Sequence, residues 1–334
     1  ESISSAKAET ASYAEVTRLL DQCLAEFLTS TSASESVEIL QRLRDGIRSA
    51  DEEIATAAIV AFLKSKQDAP TKLPFSVGPD GMMETTPTLR IALLDLLPSL
   101  DPVAALDIAR EVMDQKISPD EYALAIRNLA WNDLDGDLKN ELDARFRQML
   151  DQENWRADPS AGFLEALDTA VELSNEKIFS TMNQLHQDAL SRGNLPLTRA
   201  SFMTLDRMII RDPALLVSSF TADSGLSQTT ADQRASLLSR LDITDPAQKA
   251  VFLNYLTATN HAPKELDYFI ALFPNGNYLH GNWLITTNET THSISSRLDE
   301  DRKVLTEISQ LNLSGNAAKS LTRIRDRLIK ITAK

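Results

Sequence analysis

Asp133-Leu134-Asp135-Gly136-Asp137 sets carboxylates at alternate positions, the arrangement a calcium loop uses. That loop needs glycine sixth and glutamate twelfth, whereas here glycine falls fourth and Ala144 stands twelfth. The run therefore reads as a solvated acidic turn that caps the next helix. His280, Glu289 and His292 are the other ligand-bearing group in one stretch, but no helix-spaced HExxH pair exists, and His186 and His261 stand alone. Neither a metal nor a cofactor is expected. Adjacent acids such as Glu52-Glu53 and Asp120-Glu121 are unremarkable among 48 acidic residues. Glycoside hydrolysis requires two carboxylates across a cleft, which spacing alone does not show. No Ser-His-Asp or Cys-His order is present. Cys23 lies among Leu19, Leu20, Leu24 and Phe27 and reads as a small buried side chain. No catalytic residue is assigned.

The stretch with most recognition chemistry is Phe273–His292, which holds two glycines, four asparagines, a tyrosine, a tryptophan and two of the four histidines. Tyr278, His280, Asn282 and Trp283 offer aromatic faces for stacking beside amide and imidazole groups for directed hydrogen bonds. That combination suits a peptide or a sugar. His280-Gly281-Asn282 has the composition of a tight turn, so residues 273–292 are expected to form an irregular loop or short hairpin.

The elements that position this stretch are helices. Between Arg211 and Leu272, four start signals (Asp212-Pro213, Thr229-Thr230, Asp245-Pro246 and Ala262-Pro263) follow one another at 17, 16 and 17 residues. Each precedes apolar residues at helical spacing, giving helix, turn, helix in about 33 residues. The beat extends to both ends of the chain. Eight of the thirteen prolines (87, 102, 119, 159, 196, 213, 246 and 263) mark a proposed helix start, and six of them follow Asp, Ser or Thr. The cap oxygen accepts free backbone N–H groups, and proline brings no N–H to be orphaned there. Leu94-Asp95 with Asp101-Pro102 recurs as Leu205-Asp206 with Asp212-Pro213, an offset of 111 residues. The beat fails twice, at Lys66–Thr86, rich in proline and glycine, and at Phe273–His292. The spacing predicts an all-α chain of antiparallel helix hairpins, about 15–16 helices, wound as a right-handed superhelix. Residues 1–12 are expected to be frayed, 13–272 to form the array with a long loop at 66–86, and 293–334 to close it with a capping helix pair.

Composition sets further bounds. Ten glycines and 6% aromatics argue against a β-rich fold. The net charge is −14, and Lys319–Lys334, with six basic residues and one acidic, leaves −19 on the remaining residues. Such an acidic body repels phosphate backbones, so nucleic acid is not an expected partner. No apolar run approaches the roughly 20 residues of a membrane span. The chain begins at Glu1 in a Ser/Ala-rich stretch, which fits a form released from an export signal. The expected location is periplasmic or secreted, with the cytoplasm as alternative.

Paired amphipathic helices at this period resemble the α-solenoids, broadly the HEAT-like and TPR-like groups, over Ser34–Leu272. The fixed Trp, Gly, Tyr and Pro positions of TPR repeats are not met, and the Asp-Pro starts are closer to HEAT usage. Some lytic transglycosylases also carry helical superhelices, but the Glu-Ser and Gly-Leu-Met-Gln segments of their catalytic domain have no counterpart here. The resemblance implies a non-enzymatic scaffold that binds a protein or peptide on a concave helical face and on the 273–292 loop. The alternative is an exported carbohydrate- or cell-wall-active protein with a carboxylate pair near that loop and a glycan as ligand.

Overall fold

The computed structural model describes residues 2–133, 135–221, 230–276, 281–286 and 294–333, with the backbone alone described at 2–12, 221 and 294. The fold is all-α. The chain divides into two compact units: Glu1–Glu172 with Asn282–Thr287, and Leu173–Gly281 with Asn288–Lys334.

Unit 1 opens with α1 (Ser2–Thr29), α2 (Ala33–Ser49) and α3 (Glu52–Ser65). A two-stranded ribbon follows, β1 (Ser76–Val77) and β2 (Met83–Thr85). Then come α4 (Leu89–Leu100), α5 (Pro102–Gln115), α6 (Pro119–Trp131) and α7 (Lys139–Leu150). Three five-residue helices, α8 (Glu153–Ala157), α9 (Ala161–Glu165) and α10 (Thr169–Leu173), complete it, the last two joined by a 3-10 turn at Ala166–Asp168. Helices here pack on the next and the next but one: α1 on α2 and α3, α3 on α4 and α5, α4 on α5 and α6. That neighbour-to-neighbour order is how stacked hairpins bury a continuous core.

Unit 2 holds α11 (Glu176–Ser191), α12 (Leu195–Arg211), α13 (Ala214–Thr221), α14 (Ala231–Leu238), α15 (Pro246–Thr257), α16 (Glu265–Leu272), α17 (Ile294–Ser309) and α18 (Gly315–Thr332). It repeats the pattern, with α11 on α12 and α13, α12 on α14, and α14 on α16. Helices α15, α16 and α17 all meet α18. Phe252, Phe269 and Phe273 form its aromatic centre, with ring centroids 4.9 to 6.0 Å apart. No described helix is long and apolar enough to cross a membrane.

Helix starts follow the cap chemistry. Asp101 Oδ1 accepts from Val103 N and Ala104 N, both at 2.9 Å, and so opens α5 at the residue that closes α4. Pro102, Pro119, Pro196 and Pro246 stand in first helical turns. Pro87, Pro159 and Pro263 do not start helices: Thr88 and Ser160 are the N-caps of α4 and α9, and α16 begins after Lys264 in left-handed conformation. The Pro87 carbonyl instead accepts from Thr71 N at 2.9 Å. The frayed N-terminus expected at residues 1–12 is replaced by backbone that continues α1 back to Ser2. Trp155 lies on α8, buried edge-on to Tyr122 at 5.5 Å.

Helix α6 lies at the centre of unit 1. It touches α4, α5, α7 and α9, and buries every residue from Glu121 to Leu129. Gly162 lets α9 approach it: a Cβ there would stand 2.8 Å from Asp120 Cα, and Gly162 N donates to Asp120 Oδ1 at 2.9 Å. A helix enclosed on all sides leaves Arg127 and Asn128 no route to water, so both need internal partners.

Candidate functional site

Arg127 finds its partners one repeat earlier. Its Nη1 lies 2.7 Å from Asp95 Oδ1 on α4 and 2.9 Å from Gly81 O in the ribbon turn. Asn128 Oδ1 accepts from Arg127 Nε and Nη2 at 3.2 and 3.1 Å. The guanidinium also stacks 4.4 Å over the Trp131 ring. Burial pulls Arg127 below the ordinary guanidinium range, and Asp95 pulls it back. Both Asp95 oxygens also accept from Met83 N, at 3.2 and 3.3 Å. The Lys66–Thr86 interruption is thus a ribbon fastened to the scaffold through its backbone.

Unit 2 contains the same device. Arg240 grips Asp206 through Nε and Nη2 at 2.9 and 2.7 Å, and its Nη1 donates to Asn275 O at 2.8 Å. Asn275 N donates to Ser239 O at 2.8 Å, so the start of the second interruption is fastened as well. The 111-residue sequence match therefore places Asp95 and Asp206 at one structural station. The pairs are separated by 32 and 34 residues, and Arg90–Glu121, Arg110–Glu141 and Arg234–Glu265 by 31. The sequence signal for these pairs was opposite charge on facing helices one repeat apart, which helix-by-helix reading of apolar faces does not seek.

Arg234–Glu265 carries a pH prediction. Glu265 is buried at 1% exposure, accepts from Arg234 Nε at 2.7 Å and Nη2 at 2.5 Å, and accepts from Tyr255 Oη and Ala262 N, both at 3.1 Å. Burial alone would raise its carboxyl; the hydrogen bonds and the cation outweigh this and hold it below the ordinary glutamate range. A lowered folded pKa means stability complete above the unfolded value of about 4.3 and lost as pH falls through the folded value. In urea titrations the wild-type advantage over Glu265→Gln is expected to be large at pH 7 and to shrink toward pH 3. A gap that stays constant with pH would remove Glu265 from the acid response.

The four recognition residues divide. Tyr278 and His280 lie outside the described residues, as do Glu289 and His292. Asn282 is buried at 4% exposure with φ 57°, and Trp283 is half-buried. Residues 282–286 run as a strap against α6 and α9 within unit 1. Trp283 N donates to Glu165 Oε2 at 3.0 Å. Asp168 Oδ2 accepts from Ile285 N and Thr286 N, both at 2.7 Å, and its Oδ1 accepts from Thr286 Oγ1 at 2.6 Å. Trp131 Nε1 donates to Ile285 O at 3.3 Å. Asp168 is fully buried and its oxygens are occupied by three strap donors, an arrangement that holds a chain segment.

A cleft of about 660 Å³ lies in unit 2. Its walls are the turn after α14, the end of α16, Pro274–Gly276, α17 and α18. Charged groups of both signs, among them Arg327 and Asp301, share it with Leu272, Leu298 and Ile331. The first residues of the 273–292 loop therefore line the cleft, held there by Arg240.

Other sequence candidates have structural roles. Asp133 Oδ1 accepts from Leu138 N at 2.7 Å and so caps the approach to α7. His186 is fully buried, with Nδ1 3.1 Å from Thr198 O and from Ser201 Oγ, and Nε2 3.0 Å from Gln233 Oε1. Cys23 is buried in α1, where desolvation pushes its thiol up, away from the reactive thiolate. Arg323 of the basic final helix meets Asp267 of α16 at 2.7 Å. Among the described residues no group of three His, Cys, Asp or Glu is placed to hold a metal ion. Comparison with protein-family models, with curated proteins and with solved structures gave no match.

Proposed function

We propose that this chain is a binding protein that holds an extended segment of a protein partner in the unit 2 cleft beside the 273–292 loop. One observation carries the reading: the cleft of about 660 Å³ sets apolar side chains from α16, α17 and α18 next to charges of both signs. Such a mixed wall suits a peptide, which brings apolar side chains and polar backbone together. The buried cross-repeat pairs support it by keeping the cleft walls in fixed positions, which lowers the ordering cost of binding.

Peptides selected from a display library on the immobilised chain are expected to share one site. Leu298→Asp places a charge on the apolar wall and is expected to weaken them at least tenfold, about 1.4 kcal/mol. Selected peptides indifferent to Leu298→Asp would exclude the cleft. Trp283→Ala tests the far end of the loop: unchanged affinity removes that end from the partner surface.

A further inference from the structure

Arg327 in the unit 2 cleft is half-buried, and the fold covers two of its guanidinium nitrogens without satisfying them. Its Nε and Nη2 are covered from solvent and have no hydrogen-bond partner among the described residues. Asp301 is the charged group that acts on it, yet no ion pair within 4.0 Å joins the two. Arg327 projects from α18 and Asp301 from α17, and both line the cleft. Burial shifts both toward their neutral forms, lowering Arg327 and raising Asp301. The contrast with the rest of the chain is sharp. Arg234 and Arg240 are half-buried like Arg327, whereas Arg90 and Arg127 are buried outright, and each of these four closes an ion pair at 2.5 to 2.9 Å. Covered guanidinium N–H groups without acceptors cost stability, and such groups collect where a ligand completes the hydrogen bonding.

We propose that the cleft binds a carboxylate-bearing ligand, with the carboxylate received at Arg327 and the apolar body of the ligand against Leu272, Leu298 and Ile331. This rests on the peptide-binding reading above and specifies which group of the peptide is recognised. A carboxylate matches the planar guanidinium in shape and charge. Ile331, 36% exposed at the cleft edge, and the half-buried Leu272 and Leu298 give an aliphatic side chain a place to desolvate. The carboxylate comes either from a chain terminus or from an acidic side chain, and the probes separate these sources.

The test titrates the full chain, by calorimetry and by chemical-shift change of labelled arginine side chains, with three probes. They are N-acetyl-Leu-Leu with a free terminal carboxylate, its terminal amide, and N-acetyl-Leu-Glu amide. The free acid is expected to bind at least tenfold more tightly than the amide and to shift the Arg327 side-chain signal. Arg327→Gln is expected to abolish that preference. Binding of the glutamyl amide at the level of the free acid assigns a side-chain carboxylate; binding only of the free acid assigns a C-terminus. Equal binding of acid and amide overturns the carboxylate inference and leaves the peptide reading standing. Binding of none of the three overturns both. Stability supplies an independent readout: Arg327→Leu removes an unsatisfied charge, so the ligand-free melting temperature is expected to hold or rise. A fall of several degrees would mean that Arg327 is satisfied by the fold, and would also overturn the inference.

Discussion

Arg127→Leu is expected to destabilise unit 1 by about 3–5 kcal/mol, because it strands Asp95 as a buried charge without its cation. Asp95 is 2% exposed, and the arginine atoms that face it are sealed inside α6. The loss extends past the pair. Gly81 O loses its donor, and Trp131 loses the cation stacked on its ring. For a unit of this size each kcal/mol shifts the melting temperature by about 2–4 °C, so a fall on the order of 6–20 °C is expected in a thermal melt. The cause is separable from simple loss of packing. Asp95→Leu in the same chain as Arg127→Leu removes the stranded charge and is expected to recover at least half of the loss. A double variant as unstable as the single one would falsify the charge explanation and leave a packing defect. The same experiment on Asp206 and Arg240 is expected to give the same sign in unit 2, since that pair occupies the equivalent station.

Asp168→Ala has the second large effect and a different signature. Its carboxylate accepts from two successive strap amides and a hydroxyl, all within 2.7 Å. Hydrogen bonds to a charged acceptor contribute roughly 1.5–3 kcal/mol each, and the abandoned amides then need new acceptors. Loss of the clasp is expected to cost about 3–5 kcal/mol, felt first in the strap and only then in the helices. Hydrogen exchange followed by mass spectrometry locates it: peptides covering Ile285 and Thr286 should gain exchange by at least tenfold, while peptides from α1 to α3 stay near wild type. Asp135→Asn, at an exposed acid of the same unit, is the control and is expected to change neither. Uniform loss of protection across unit 1 would show instead that Asp168 acts on the core as a whole. If the strap alone loosens, peptide binding at the unit 2 cleft should persist, which separates the clasp from the proposed binding site.

The sequence by itself determined the helices, because their causes are local. A cap oxygen satisfies an N–H two or three residues on, and an apolar stripe recurs within four, so Asp101-Pro102, Ser118-Pro119 and Asp245-Pro246 mark real helix starts. The two failures of the beat were legible for the same reason, since proline and glycine act on their own backbone. Where the neighbouring residue capped better, as at Thr88 beside Pro87 or Ser160 beside Pro159, the local signal was right in kind and off by two positions. Tertiary structure alone decided what the charges do. Arg127 and Asp95 sit 32 residues apart, and Asp168 and Thr286 sit 118 apart. Nothing within one helical turn distinguishes those acids from the many that face water. Their roles depend on which faces the stacked hairpins enclose: a charge on an enclosed face must be paired, a charge on an open face need not be. The recognition candidates fell on an interruption whose strap end is clasped to unit 1 and whose opening residues wall the unit 2 cleft. Arg327, read from sequence as one more cation on a basic capping helix, is half-buried in that cleft with its Nε and Nη2 covered and without an acceptor.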